Sequence, residues 1–116
     1  DYAGVMLNLQ GECGVALEIV KDTVLRIQEK FLKAEELAFI SENHIEQLYA
    51  CWCAKEAIYK LQGNRGVSFL ENMTIAPFTY TDQGVLELRL ESEHNNRSYQ
   101  VFYEKFGNYM LGYAVE

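Results

Sequence analysis

The feature that most constrains this chain is a double change of hydrophobic period. Apolar residues alternate at the start, recur at helical spacing from about residue 21 to 62, and alternate again to the end. A period of two sends successive side chains to opposite faces of a strand, whereas 3.6 gathers them on one helical stripe. "YAGVMLNL" (2–9) sets Ala3, Val5, Leu7 and Leu9 on one face, and "QGEC" is a turn. "GVALEIV" (14–20) then sets Val15, Leu17 and Ile19 against Ala16, Glu18 and Val20. The chain is expected to open with two antiparallel strands.

Three helices should follow. Val24, Ile27 and Phe31 define the first, with Asp22 as its expected N-cap. "KAEELAFISEN" (33–43) is a shorter second, with Leu37 and Ile40 at i, i+3. The third runs from about Ile45 to Gln62, stopped by Gly63, and is apolar over more than half its circumference, so it should be buried. After "GNRG", four alternating segments read as strands: "MTIAPFTYT", "VLELRLES", "SYQVFYEKF" and "NYMLGYAVE", the last following a turn at Gly107–Asn108. Strands, then helices, then strands is the order of an α+β domain, here an antiparallel sheet with three helices packed on one face.

Residues 1–116 make one domain, with no repeat or linker. Because the chain begins at Asp1 rather than Met, it is expected to be a fragment of a longer one. A formal charge of −7 argues against nucleic acid as a partner. No apolar run approaches the ~20 residues of a membrane span. Three cysteines form no disulfide framework, which suits a reducing cytoplasm. Cys51 and Cys53 would point about 200° apart on a helix, a poor grip for one metal ion.

Within the third helix, "WCAKEAIYKLQG" (52–63) puts Glu56 and Lys60 on one stripe, about 40° and 80° around from Trp52. The plain reading is an i, i+4 ion pair on a solvated face. A second reading follows if the helix crosses the end of the second strand, where Glu18 and Glu56 would converge. Two carboxylates repel unless a cation lies between them, and Mg²⁺ is the usual one for oxygen ligands. Neighbouring lysines would then suit a phosphate.

The same string resembles the W-x-x-K-E-A-x-x-K signature of the 4′-phosphopantetheinyl transferase superfamily. "GVALE" (14–18) is similar to that family's G-[IV]-D-[IV]-E strand, "KFLKAEE" (30–36) to its basic-F-[FL]-x-x-x-E stretch, and "GNRGVSF" (63–69) to its glycine-rich segment. All four stand in family order. The preceding strand fits the two-half, surfactin-synthetase-activating type, of which this chain resembles the C-terminal half.

The resemblance implies a holo-acyl-carrier-protein synthase. Such an enzyme moves the phosphopantetheine arm of coenzyme A to a serine of an acyl or peptidyl carrier protein, releases 3′,5′-ADP, and serves fatty acid or polyketide biosynthesis. Carried over by position, Glu18 and Glu56 ligate Mg²⁺, Lys55 and Lys60 contact the coenzyme A phosphates, and Glu36 supplies a base or positions a water. Glu36, Glu56 and Lys60 form the catalytic set. Trp52 is expected to brace the helix against the sheet.

Two departures stand out. The family's aspartate is Ala16 here, and its S-H-[ST] segment would precede Asp1; neither His44 nor His94 replaces that histidine. The alternative is therefore an impaired relative that binds carrier protein or coenzyme A without transferring. A lone half is expected either to pair with itself as a homo-oligomer or to need a preceding N-terminal half.

Overall fold

A computed structural model describes residues 13–42, 44–62, 66–93 and 96–115. The expected strand over 2–9, Gly63 and His94 lie outside them. The elements in chain order are β1 (Cys13–Ile19), α1 (Val24–Phe31), α2 (Ala34–Leu37), α3 (Ile45–Leu61), β2 (Met73–Ile75), β3 (Gln83–Glu91), β4 (Asn96–Phe106) and β5 (Tyr109–Val115). All strand pairs are antiparallel, in the order β1-β5-β4-β3-β2. The α+β architecture is the one the periods require.

The inner face of the sheet carries Ala16, Leu86, Leu88, Leu90, Val101, Tyr103, Met110 and Ala114, all buried. Against it lies α3, crossing β1, β5 and β4, with α1 packed on α3. Leu48, Ala50, Cys51, Cys53, Ala54, Ala57 and Ile58 are buried along the helix, which accounts for its apolar circumference. His44 caps it, its Nδ1 accepting the Gln47 N–H at 2.9 Å.

Two glycines set how closely α3 approaches. A Cβ on Gly14 would stand 1.8 Å from the Ala57 carbonyl oxygen, and one on Gly112 would stand 2.9 Å from the Cys53 Cβ. Backbone therefore rests on backbone along β1 and β5, and the side chains flanking Ala57 are brought to the strand end.

Local structure corrects three expectations. The first helix is capped at Thr23, not Asp22, with no side-chain cap bond. The second is four residues long, because Phe39 and Ile40 tighten into i, i+3 bonds to Glu36 and Leu37. β2 stops at Ile75, two residues before Pro77, which has no N–H to extend the ladder. The turn at Gly107–Asn108 is as expected: Gly107 has φ +57°, and Phe106 pairs with Tyr109.

The opposite face of the sheet is uncovered among the described residues. Val15, Tyr113, Phe102 and Val85 form a row across four strands. Phe102 stacks on Tyr113 at 5.2 Å, and Leu17, Ile19, Val85, Phe102, Tyr109 and Val115 are exposed.

Candidate active site

Glu18 continues the inner-face positions Gly14 and Ala16 to the end of β1, and Glu56 is the residue before Ala57 on α3. The glycine contact thus delivers one carboxylate to the other. Glu56 is half-buried, and its carboxyl is raised from 4.5 to about 7. Burial is the largest cause, followed by the adjacent Glu18 carboxylate; Lys60 and the Trp52 indole oppose the shift. The Glu56 Oε1 atom is buried with no hydrogen-bond partner among the described residues. Lys60, one turn further, is exposed and donates to the Val15 carbonyl at 3.0 Å, tying α3 to β1. The Cys53 thiol lies beneath this group, and burial with the Glu56 and Glu18 charges pushes it well above the usual thiol range.

Such a pair is poised for a cation. A carboxylate oxygen denied water and hydrogen bonds, facing a second carboxylate, is satisfied when a positive ion lies between the two. Among the described residues no group of three or more His, Cys, Asp or Glu clusters as for a metal, and these two carboxylates are the ones that could face an ion here. That number suits Mg²⁺, which commonly takes one or two carboxylates and fills its octahedron with water and phosphate oxygens.

Glu36 and Lys55 are elsewhere, and bonded to each other. Both side chains are fully buried, with Lys55 Nζ 3.0 Å from Glu36 Oε2 and 3.1 Å from Oε1. The ammonium also donates to the carbonyls of Phe31 (2.7 Å), Phe69 (2.8 Å) and Met73 (3.0 Å). Glu36 accepts the main-chain N–H groups of Lys33 and Ile75, each at 2.8 Å. The pair joins the end of α1, α2, α3, the segment after α3 and β2. Burial pulls the Lys55 ammonium below the usual lysine range, while Glu36 beside it opposes.

The structure therefore brings together Glu18, Glu56 and Lys60 and separates Glu36 and Lys55 from them. The burial of Lys55 was signalled in the chain: Cys51, Lys55 and Ile58 fall at i, i+4 and i+7, so Lys55 rides a buried stripe. Trp52 packs on Phe31 of α1 at 5.0 Å and on Phe69 at 5.3 Å. Sequence reasoning passed over Gly112, whose place beneath Cys53 carries no motif; Lys33, a basic residue in the family-like stretch, has its ammonium bonded to the Met73 carbonyl and Thr74 hydroxyl.

A sequence model of the 4′-phosphopantetheinyl transferase superfamily matches residues 12–114. No curated protein matches the chain.

Proposed function

This chain belongs to the 4′-phosphopantetheinyl transferase superfamily, and from that membership we propose that Glu18, Glu56 and Lys60 form its transfer site for the phosphopantetheine arm of coenzyme A. The observation that carries the reading is the Glu18–Glu56 pair, with a buried Glu56 oxygen that has no hydrogen-bond partner among the described residues. The acceptor is a serine of an acyl or peptidyl carrier protein, and the product is 3′,5′-ADP.

Glu18 and Glu56 would hold Mg²⁺, which when bound neutralises charge on the pyrophosphate. Lys60, exposed beside them, meets the phosphate that changes hands, where a positive charge is worth most in the transition state. Glu36 and Lys55 have no atom turned to solvent in this arrangement. We assign them to holding α3 in place rather than to the serine proton or the phosphates.

Ala16 favours a second reading, a binding module that no longer transfers. It is buried on the inner face of β1, two residues before Glu18, where an aspartate would bring a third carboxylate to the pair. Intact-mass spectrometry of an apo carrier protein with coenzyme A, Mg²⁺ and this chain separates the two. The transferase reading expects a phosphopantetheine mass gain that Glu56→Gln abolishes. It also expects Ala16→Asp to speed the gain, on the order of tenfold or more at limiting Mg²⁺. No gain from the chain or from Ala16→Asp, with coenzyme A still bound, is the result of a module.

Metal binding has its own expected signature. An acid whose pKa folding raises holds more protons folded than unfolded between the two values. The pair therefore lowers stability as pH rises from 4.5 to about 7. Mg²⁺ should then raise the melting temperature at pH 8 and have little effect at pH 5, where the proton does its work. Glu18→Gln should remove the Mg²⁺ shift and lessen the pH slope without abolishing it, because burial is the larger cause of the slope. A shift equal at the two pH values would place the ion elsewhere.

The uncovered apolar face supports a partner in this function. We propose that it receives either a second copy or a preceding half. Sedimentation of the chain over a range of concentrations distinguishes self-pairing from a monomer awaiting another half.

A further inference from the structure

Trp52 is the only tryptophan in the chain, and three separate stretches meet at its ring. It stands one turn before Glu56 on α3, about 40° around the helix axis. Helical side chains lean toward the N-terminus, so the Glu56 carboxylate reaches back over the turn that carries the indole. The half-buried indole has an N–H donor and no acceptor, and it hydrogen-bonds that carboxylate. Oε1 of Glu56 has no hydrogen-bond partner among the described residues, which leaves Oε2 to the indole.

The ring is itself clamped. Phe31, the last residue of α1, meets it edge-on at 5.0 Å, and Phe69, from the segment after α3, lies 5.3 Å away on a tilted plane. Tyr59 supports Phe69 at 5.4 Å. One group fixes the main chains of both phenylalanines: the Lys55 ammonium donates to the Phe31 carbonyl at 2.7 Å and to the Phe69 carbonyl at 2.8 Å. Glu36 holds that ammonium in turn, at 3.0 Å. A continuous run of contacts thus leads from the buried ion pair, through two pinned phenylalanines, to the indole and on to Glu56. The phenylalanines belong to "KFLKAEE" and "GNRGVSF", and the tryptophan to "WCAKEAIYKLQG", so three strings far apart in the chain converge on one ring.

Bracing α3 asks only for a large apolar ring, which phenylalanine would supply; the indole adds a donor. Like charges repel, so an untethered Glu56 side chain would turn away from Glu18. Resting on the transfer reading above, we propose that Trp52 is a positioning residue of the Mg²⁺ site, its N–H holding one oxygen of Glu56 so that the other faces Glu18 and the ion between them. Lys55 acts one step further back, by keeping Phe31 and Phe69 against the ring.

The test replaces Trp52 by 3-benzothienylalanine, in which sulfur takes the place of the N–H and the ring keeps its size. Mg²⁺ affinity is read by calorimetry at pH 8, with no coenzyme A or carrier protein present. Groups that orient metal ligands are worth roughly 10–100-fold in affinity, so a loss of about tenfold is expected, with the metal-free melting temperature unchanged. Binding that the analogue keeps in full would overturn this proposal alone. No Mg²⁺ binding by the unaltered chain would overturn the transfer reading, and this proposal with it. A second readout needs no change at Trp52 and no metal, because a ¹H–¹⁵N spectrum of a chain with one tryptophan holds a single indole signal. Glu56→Gln weakens the acceptor, and should move that signal upfield and further than Glu18→Gln moves it. An indole signal indifferent to Glu56→Gln would overturn the contact itself.

Discussion

Lys55→Met is expected to cost about 3–5 kcal/mol of folding stability, a large share of the ~5–15 kcal/mol that holds a domain together. The reason is asymmetry. The intact pair gains little net energy, because removing two charges from water costs nearly what their attraction returns. Removing one partner, however, leaves the Glu36 carboxylate buried without its ion, and strips the Phe31, Phe69 and Met73 carbonyls of a donor. Urea denaturation followed by circular dichroism reads the loss. Lys55→Met combined with Glu36→Leu removes both charges, and should fall short of the summed single costs by more than about 1 kcal/mol. If Lys55→Met folds normally and loses coenzyme A binding instead, the ammonium belongs at the phosphates, as the family resemblance implies.

The second large effect is expected at Gly14. Gly14→Ala adds one methyl group, placed 1.8 Å from the Ala57 carbonyl oxygen. That atom is helix backbone, so relief requires α3 to move off β1 or the strand to leave its ladder with β5. Overpacking usually costs about 1–3 kcal/mol when side chains can shift, and more is expected where they cannot. Gly107→Ala is the matched control. Its Cβ meets nothing within 4 Å, and the cost is the left-handed φ alone, about 1–2 kcal/mol. Chemical denaturation of the two variants compares contact with conformation. Similar losses would mean that the helix does not bear on Gly14 as described.

Both predictions show where the chain was legible. Period alone separates strand from helix, which is why α3 and the β3, β4 and β5 segments were readable to within a few residues. Turn chemistry placed Gly107–Asn108 for the same local reason. What period does not carry is depth. Glu56 and Lys55 are adjacent, yet 100° of helical rotation turns one toward β1 and the other into the joint between α1, α2 and β2. A motif records which residue types occur together and not which of them reach solvent. The convergence of Glu18 with Glu56 could be argued from strand parity and a helix crossing. The Gly112 contact depends on which strand lies beside β1, a long-range pairing that no local pattern encodes.

The position of the cysteines on α3 has a further consequence. Cys51 and Cys53 are both fully buried, one on the Glu36–Lys55 side and one on the Glu56 side, while Cys13 on β1 is partly accessible. A thiol reacts as its thiolate, and burial suppresses that form at both helix positions. An oxidant or alkylating reagent therefore meets Cys13 first, and reaches the other two when α3 lifts from the sheet. The helix keeps its sulfur chemistry locked for as long as it rests on the sheet, so the reaction rate of the inner thiols is a clock for the lifting of α3, and with it for the parting of Glu56 from Glu18.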